Sequence, residues 1–171
     1  MRRGYRIDLG SPVLPRLQRK TRNTVRRASK SINARQGTLN ELKQLHWEPL
    51  YLPETLNKNQ VVYTAILDDK PISAILLNIE GDHLVYRYAG NDRDHMSLNG
   101  NTYLLWWCAE HYNLKGYKYI DLGGSAKPNI EAYKRRLSTS SYPLKPKPLI
   151  QWLTAKINYR LRRSLVELRQ P

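Results

Sequence analysis

The chain has 171 residues, of which 40% are apolar, enough for the core of one domain and too few for a membrane protein. Twenty-nine lysines and arginines against 14 acidic residues give a net charge of +15, and the single cysteine, Cys108, excludes an internal disulfide and a cysteine-built zinc site. The aliphatic run at Ala74–Leu77 is far shorter than the roughly 20 residues of a membrane-spanning helix, and the first twenty residues hold six basic side chains and no signal-peptide core, so the chain reads as cytoplasmic.

From Pro12 to about Ile32, the positions Leu14, Leu17, Val25, Ala28 and Ile32 keep three- and four-residue spacing, with Thr21 filling one slot, which predicts a basic amphipathic helix. Gly37 closes that region. Thr38 followed by Glu41 is a capping box that opens a short helix through Leu42 and Leu45. Val61–Leu67 and Ile72–Ile79 read as strands joined by a turn at Asp68–Pro71, and a second turn at Gly81-Asp82 leads to a third strand, His83–Ala89. Thr102–Tyr112 is predicted helical and ends by Gly116. Tyr117–Leu122 is a strand running into Gly123-Gly124-Ser125, placed parallel to the previous strand by a right-handed crossover. Asn129–Leu137 reads as a short basic helix, Tyr142–Pro148 as extended, and about 149–168 as a basic amphipathic helix on Ile150, Leu153, Ile157, Leu161, Leu165 and Leu168. The order is α+β, with a mixed central sheet flanked by helices, and a ligand groove is expected where the sheet changes character around residues 90–123.

The charge sits at the two ends. Residues 1–36 carry 11 basic and 1 acidic side chains and residues 134–171 carry 10 and 1, whereas residues 37–133 carry 8 and 12. Such ends either attract polyanions, such as RNA, an anionic membrane face or a pyrophosphate-bearing substrate, or solubilise two amphipathic helices.

Four segments, Tyr88–Asn91, Leu104–Trp107, Tyr119–Ser125 and Tyr133-Lys134-Arg135, resemble in order and spacing the C-terminal half of Fem-type (FemAB-like) aminoacyltransferases and related members of the GNAT superfamily. Thr21–Ala28 is similar to the basic helix that opens this half, and the likeness spans roughly residues 15–148. The resemblance implies a single GNAT-like domain over 1–171 and transfer of an acyl or aminoacyl group from an activated carrier to an amine. Fem-type enzymes usually hold substrate between two such domains; one fits here, which implies either pairing with a second copy or a partner domain, or action without that half. The family's aromatic-Lys pair is Tyr133-Lys134, with Tyr where Phe is common. Where acetyl-CoA enzymes have a glycine-rich loop, this chain has Ser97-Leu98-Asn99-Gly100-Asn101-Thr102.

Acyl transfer needs a carbonyl held near an amine, a donor for the developing oxyanion, and a route for the amine proton. The candidate catalytic residues are Lys134, matched to the family's lysine, and Asp121, which either orients the amine and takes its proton or caps a turn. Ser97, Asn99, Gly100, Asn101, Gly123 and Gly124 are the candidate donor-binding residues. Arg22 and Arg26, with Arg27, could clamp a pyrophosphate, and Tyr86, Tyr88 and Tyr133 could line the acceptor groove. His83, His95 and His111 have no spaced partner, so no metal site or Ser-His-Asp triad is predicted. The donor is acyl-CoA or an aminoacyl-tRNA, the latter passing its amino acid to a peptidoglycan-precursor amine at the inner membrane surface. The rival expectation is a noncatalytic module that binds nucleic acid or a membrane surface through its basic helices.

Overall fold

A computed structural model of the chain describes residues 3–47 and 51–144. The elements are β1 (Arg3–Asp8), α1 (Arg19–Ala28), β2 (Asn33–Gln36), α2 (Leu39–Leu45), β3 (Gln60–Leu67), β4 (Lys70–Glu80), β5 (His83–Asn91), α3 (Gly100–Asn113), β6 (Tyr119–Gly123), α4 (Pro128–Leu137) and β7 (Ser140–Pro143). They build one mixed seven-stranded sheet in the order β2-β3-β4-β5-β6-β1-β7, in which β5 and β6 are the parallel pair and the other neighbours are antiparallel. The predicted meander and crossover are therefore present. The closing helix expected at 149–168 lies outside the described residues, as does the end of the extended Tyr142–Pro148 segment.

The predicted helix over 12–32 needs correction. Pro12 and Pro15 confine its first part to a single tight turn at Leu14–Arg16, Leu17 is extended, and α1 spans Arg19–Ala28. Leu17 and Ile32 are nonetheless buried, at 2% and 1% exposure, because the turns flanking α1 carry them into the core. Their helical spacing reflected a shared destination rather than a shared helix. Three strands were not expected, one of them β7, of which only the last two residues fall in the segment read as extended from Tyr142. β1 offers only Tyr5 and Ile7 as an apolar alternation, and β2, Asn-Ala-Arg-Gln, is a polar edge strand.

Helices α1, α3 and α4 lie over one face of the sheet, where Val25, Leu84, Leu104, Leu105, Ile120 and Leu137 pack together. Helix α2 covers the other face with Leu42 against Val62, Ala74 and Leu76. Its capping box forms as predicted: the Glu41 amide donates to Thr38 Oγ1 (3.2 Å) and the Thr38 amide to Glu41 Oε2 (2.7 Å). The β3–β4 hairpin turns through Asp68 and Asp69, both left-handed (φ 47° and 62°), as a two-residue turn of this hand demands.

Strand β5 carries an irregularity that positions everything later. Leu76 pairs with Tyr88 and Leu77 with Tyr86, so Arg87 is an extra residue with no partner on β4. This bulge turns Tyr86 toward the α3 face and Tyr88 toward α2, separating two tyrosines that strict alternation would place together. The β5–β6 ladder holds His83 to Tyr119, Leu84 to Ile120 and Val85 to Asp121, and ends there while β5 continues along β4 to Asn91.

Two stability outcomes follow from these contacts. A Cβ at Gly100 would stand 2.5 Å from Ser73 Cβ, so Gly100→Ala is expected to cost about 1–3 kcal/mol in urea unfolding, as overpacking does. Burial raises Glu41, but the bonds from Arg35 and Thr38 outweigh it and hold the carboxyl below its ordinary value. That contribution is complete above the unfolded carboxylate range and is lost as pH falls through the depressed folded value. Glu41→Gln should therefore lower stability by about 1 kcal/mol near neutrality, with the gap to the parent closing in acid.

Candidate functional site

The N-terminus of α3 is laid directly on β4, because Gly100 has no side chain to keep it from Ser73. The Ser73 hydroxyl lies 2.6 Å from Asn101 Oδ1, 2.8 Å from Asn91 Oδ1 and 3.2 Å from the Gly90 carbonyl. One hydroxyl proton cannot serve three acceptors, so at least one carboxamide turns its NH2 to the serine. This knot ties α3 to the end of β5. Asn99, left-handed at φ 58°, folds its side chain back onto the Ser97 carbonyl (2.7 Å), so no side chain caps the first turn of α3. The helix start keeps its donors and its partial positive charge.

Two adjoining cavities open at that helix start. One, of about 150 Å³, is lined by Asn91, Met96, Asn99, Asn101, Thr102 and Tyr133. The other, of about 90 Å³, shares Asn99, Thr102 and Tyr133 and adds Lys20, Thr24 and Arg136. Tyr133 is their common wall. Its hydroxyl is enclosed and meets no partner at hydrogen-bonding geometry among the described residues. Burial pushes this phenol up to about 12, with the nearby Thr102 hydroxyl and the Arg136 charge pulling the other way. Tyr86, raised by burial and by Tyr133, stands behind it. Both phenols are proton donors at neutral pH.

On the next face of α4, Lys134 Nζ donates to the Gly124 carbonyl (3.2 Å) and lies 3.8 Å from where a Gly123 Cβ would stand. Burial lowers the Lys134 pKa and the Asp121 charge partly restores it. Gly123 takes φ +64°, a conformation that glycine adopts freely. The Gly123 amide donates to Asp121 Oδ1 (2.7 Å) instead of facing a ligand, and Leu144 and the Arg3 carbonyl stand where a Cβ on Gly124 would be. Asp121 also accepts from the Tyr142 hydroxyl on both oxygens (2.7 and 2.8 Å). Its carboxylate braces the strand end.

The other predicted residues divide. Asn99, Asn101 and Tyr133 line the cavities, Ser97 and Gly100 are their chain neighbours but not part of the lining, and Tyr88 is on the α2 face beside His46. Arg22 turns back onto the carbonyls of Pro15 (2.9 Å) and Leu17 (3.1 Å), and Arg26 is exposed on α1. The α1 residues that reach the cavity are instead Lys20, Thr21 and Thr24, joined by Thr102 and Arg136. One signal for them was in the sequence: Lys20 and Thr24 are one turn apart, as are Tyr133 and Arg136. Among the described residues no cluster of histidine, cysteine or carboxylate side chains could hold a metal ion, and no helix is long and apolar enough to cross a membrane.

Residues 47–135, more than half of the chain, match the acetyltransferase (GNAT) domain family. The chain belongs to the GNAT family. The matched span of this GNAT domain contains β5, α3, β6 and most of α4, and leaves out α1, which supplies Lys20, Thr21 and Thr24 to one cavity. In structure the domain is similar to FemX, with a TM-score of 0.66 at 12% identity, covering 82% of this chain and 61% of that one. It is also similar to the C-terminal domain of a putative lysylphosphatidylglycerol synthetase from Agrobacterium fabrum (TM-score 0.57, 15% identity, 79% and 51% covered). A third likeness is to an aminoglycoside acetyltransferase from an uncultured soil metagenomic sample (TM-score 0.53, 11% identity, 70% and 96% covered). The chain thus spans less than two thirds of the first two. At these identities the likeness is one of fold. No curated protein matches the sequence.

The bracing role of Asp121 is measurable. Tyr142→Phe should cost about 1–2 kcal/mol in urea unfolding, and Asp121→Ala more, because it frees both the phenol and the Gly123 amide. An Asp121→Ala variant as stable as the parent would leave the carboxylate available for chemistry.

Proposed function

We propose that this GNAT domain is an N-acyltransferase that moves an acyl group from acyl-CoA to an amine by direct attack. The observation that carries the reading is the pair of adjoining cavities at the uncapped start of α3, both walled by Tyr133, whose buried hydroxyl lies beside Thr102. The first-turn amides at Gly100 and Asn101, with Ser97 and Asn99 beside them, suit a pyrophosphate, and Lys20 and Arg136 add positive charge. The acyl group would then lie where β5 and β6 part, with the amine arriving past Tyr88 and Asp121 on the α2 face.

In the reaction the acceptor nitrogen bonds to the acyl carbon as the carbon–sulfur bond breaks. Tyr133 gives its proton to the departing thiolate, and the proton shed by the amine restores the phenol through solvent. Lys134 supplies positive charge to the developing oxyanion from beside Gly123. Neither Ser nor Cys acts as a nucleophile in this scheme; Cys108 is fully buried and its thiol is raised by burial.

The second reading replaces the donor by an aminoacyl-tRNA and the acceptor by an amine of a membrane-linked, pyrophosphate-bearing precursor. It draws on the likeness to FemX and on the +15 charge. On either reading residues 1–171 act as one GNAT-like unit in the cytoplasm, at the inner membrane surface if the acceptor is membrane-linked, with a second copy or a partner domain completing the substrate cleft.

Thermal unfolding with coenzyme A and with tRNA at two salt concentrations separates the donors. Stabilisation by coenzyme A at both salts supports the first reading, whereas stabilisation by tRNA alone that collapses with salt supports the second or a noncatalytic binding role. No shift with either overturns both. With acetyl-CoA and an active acceptor, Tyr133→Phe is expected to lower kcat by about 10²-fold or more while coenzyme A still binds. Lys134→Met should also lower kcat but leave the fold as stable or more so, because it removes a charge that burial disfavours.

A further inference from the structure

A larger cleft lies on the other flank of α4, and neither the family match nor the acyl-transfer scheme uses it. It measures about 480 Å³, and its walls include Arg3 and Tyr5 of β1, Glu131 and Arg135 of α4, and the hydroxyl-rich run Ser138–Ser141 leading into β7. It is set apart from the cavities at α3 by the helix itself. Glu131 and Arg135 occupy one side of α4, Tyr133 and Arg136 another, and Lys134 stands near the first.

The donors converge. Arg3 Nη1 donates to Ser141 Oγ (3.2 Å), which leaves that serine's own proton and the remaining guanidinium N–H groups for a ligand. Arg135 of α4 lines the same cleft and brings a second guanidinium to it. The opposing charge, Glu131, is partly occupied, because the buried Tyr5 donates its hydroxyl to Oε1 (2.9 Å). The negative end of the α4 dipole is also countered, since Lys134, Arg135 and Arg136 fill its last turn. Two guanidinium groups and a serine hydroxyl from three elements complement a tetrahedral, all-acceptor oxyanion.

We propose that this cleft binds the phosphate group of a phosphorylated ligand, at a site separate from the cavities under α3. The binding stands independently of the acyl-transfer reading; only the assignment of that ligand as the amine acceptor rests on it. The group would be anchored beyond the Gly123-Gly124 corner, with the Arg3 backbone as the shared wall.

Titration calorimetry with glycerol 3-phosphate, with vesicles of anionic phospholipid as a parallel arm, tests the proposal. Binding that weakens about tenfold in each of Arg3→Ala and Arg135→Ala, and is unchanged in Lys20→Ala and Arg136→Ala, is the expected result. Dependence on the two arginines in the soluble arm marks a free phosphorylated molecule, and in the vesicle arm alone a lipid headgroup. The proposal is overturned if neither probe binds, if succinate competes as well as phosphate, or if the loss occurs in the Lys20 and Arg136 variants instead. Coenzyme A stabilisation, measured on the same four variants, reports on the donor reading alone, so the two can fail separately.

Discussion

The constraint on which the site depends is the interruption of hydrogen bonding between two parallel strands. After Val85 and Asp121 the backbone groups of β5 and β6 no longer serve each other. The bulge at Arg87 keeps β5 attached to β4 while changing which side its residues face. Parting strands would be costly inside a core, where unpaired amides and carbonyls lack water. Here α3 begins on β4, tied to the end of β5 by the Ser73 knot, and α4 sets Tyr133 as the wall that the two cavities share.

Helix α4 converts this gap into separate chemical environments. Successive residues on a helix point about 100° apart, so Tyr133, Lys134 and Arg135 look in three directions from one turn. The first meets the cavities, the second the glycine corner, the third the larger cleft. None of these side chains is far from water, yet their surroundings differ: the phenol hydroxyl is sealed, the ammonium half-buried, and the guanidinium open. Three consecutive residues of one short helix thus sit in three different surroundings. Asp121 shows the converse: a carboxylate at a strand end suits proton transfer, and here it accepts from the Gly123 amide and the Tyr142 hydroxyl.

Features written in local chemistry were legible in the sequence. The capping box, the meander with turns at Asp68–Pro71 and Gly81-Asp82, the crossover helix and the strand ending in paired glycines all follow from neighbours a few positions apart. Asn99 and Asn101 were singled out too, as part of the loop that stands where acetyl-CoA enzymes have a glycine-rich stretch, and both line a cavity. What escaped was decided by distant partners. β1 pairs with β6 and β7, more than a hundred residues downstream, and nothing in Arg-Gly-Tyr-Arg-Ile-Asp announces them. For the same reason Arg22 and Arg26 looked better placed than Lys20 and Thr24: which side of α1 meets α3 and α4 is a tertiary fact. Proline chemistry explains the shortened α1, since the apolar period continued through residues that could not all be helical.

The insertion of β1 between β6 and β7 bears on how the molecule assembles. The meander β3-β4-β5 closes short loops and can gather early, whereas the other half of the sheet needs chain ends that are maximally separated in sequence to find one another. Loop closure over such spans is slow relative to hairpin formation. During synthesis the earliest strand must wait, unpaired, until β6 has emerged. The glycine corner and its lysine consequently belong to the last part of the protein to consolidate, and ligand contacts there would be made on the segment whose ordering comes latest.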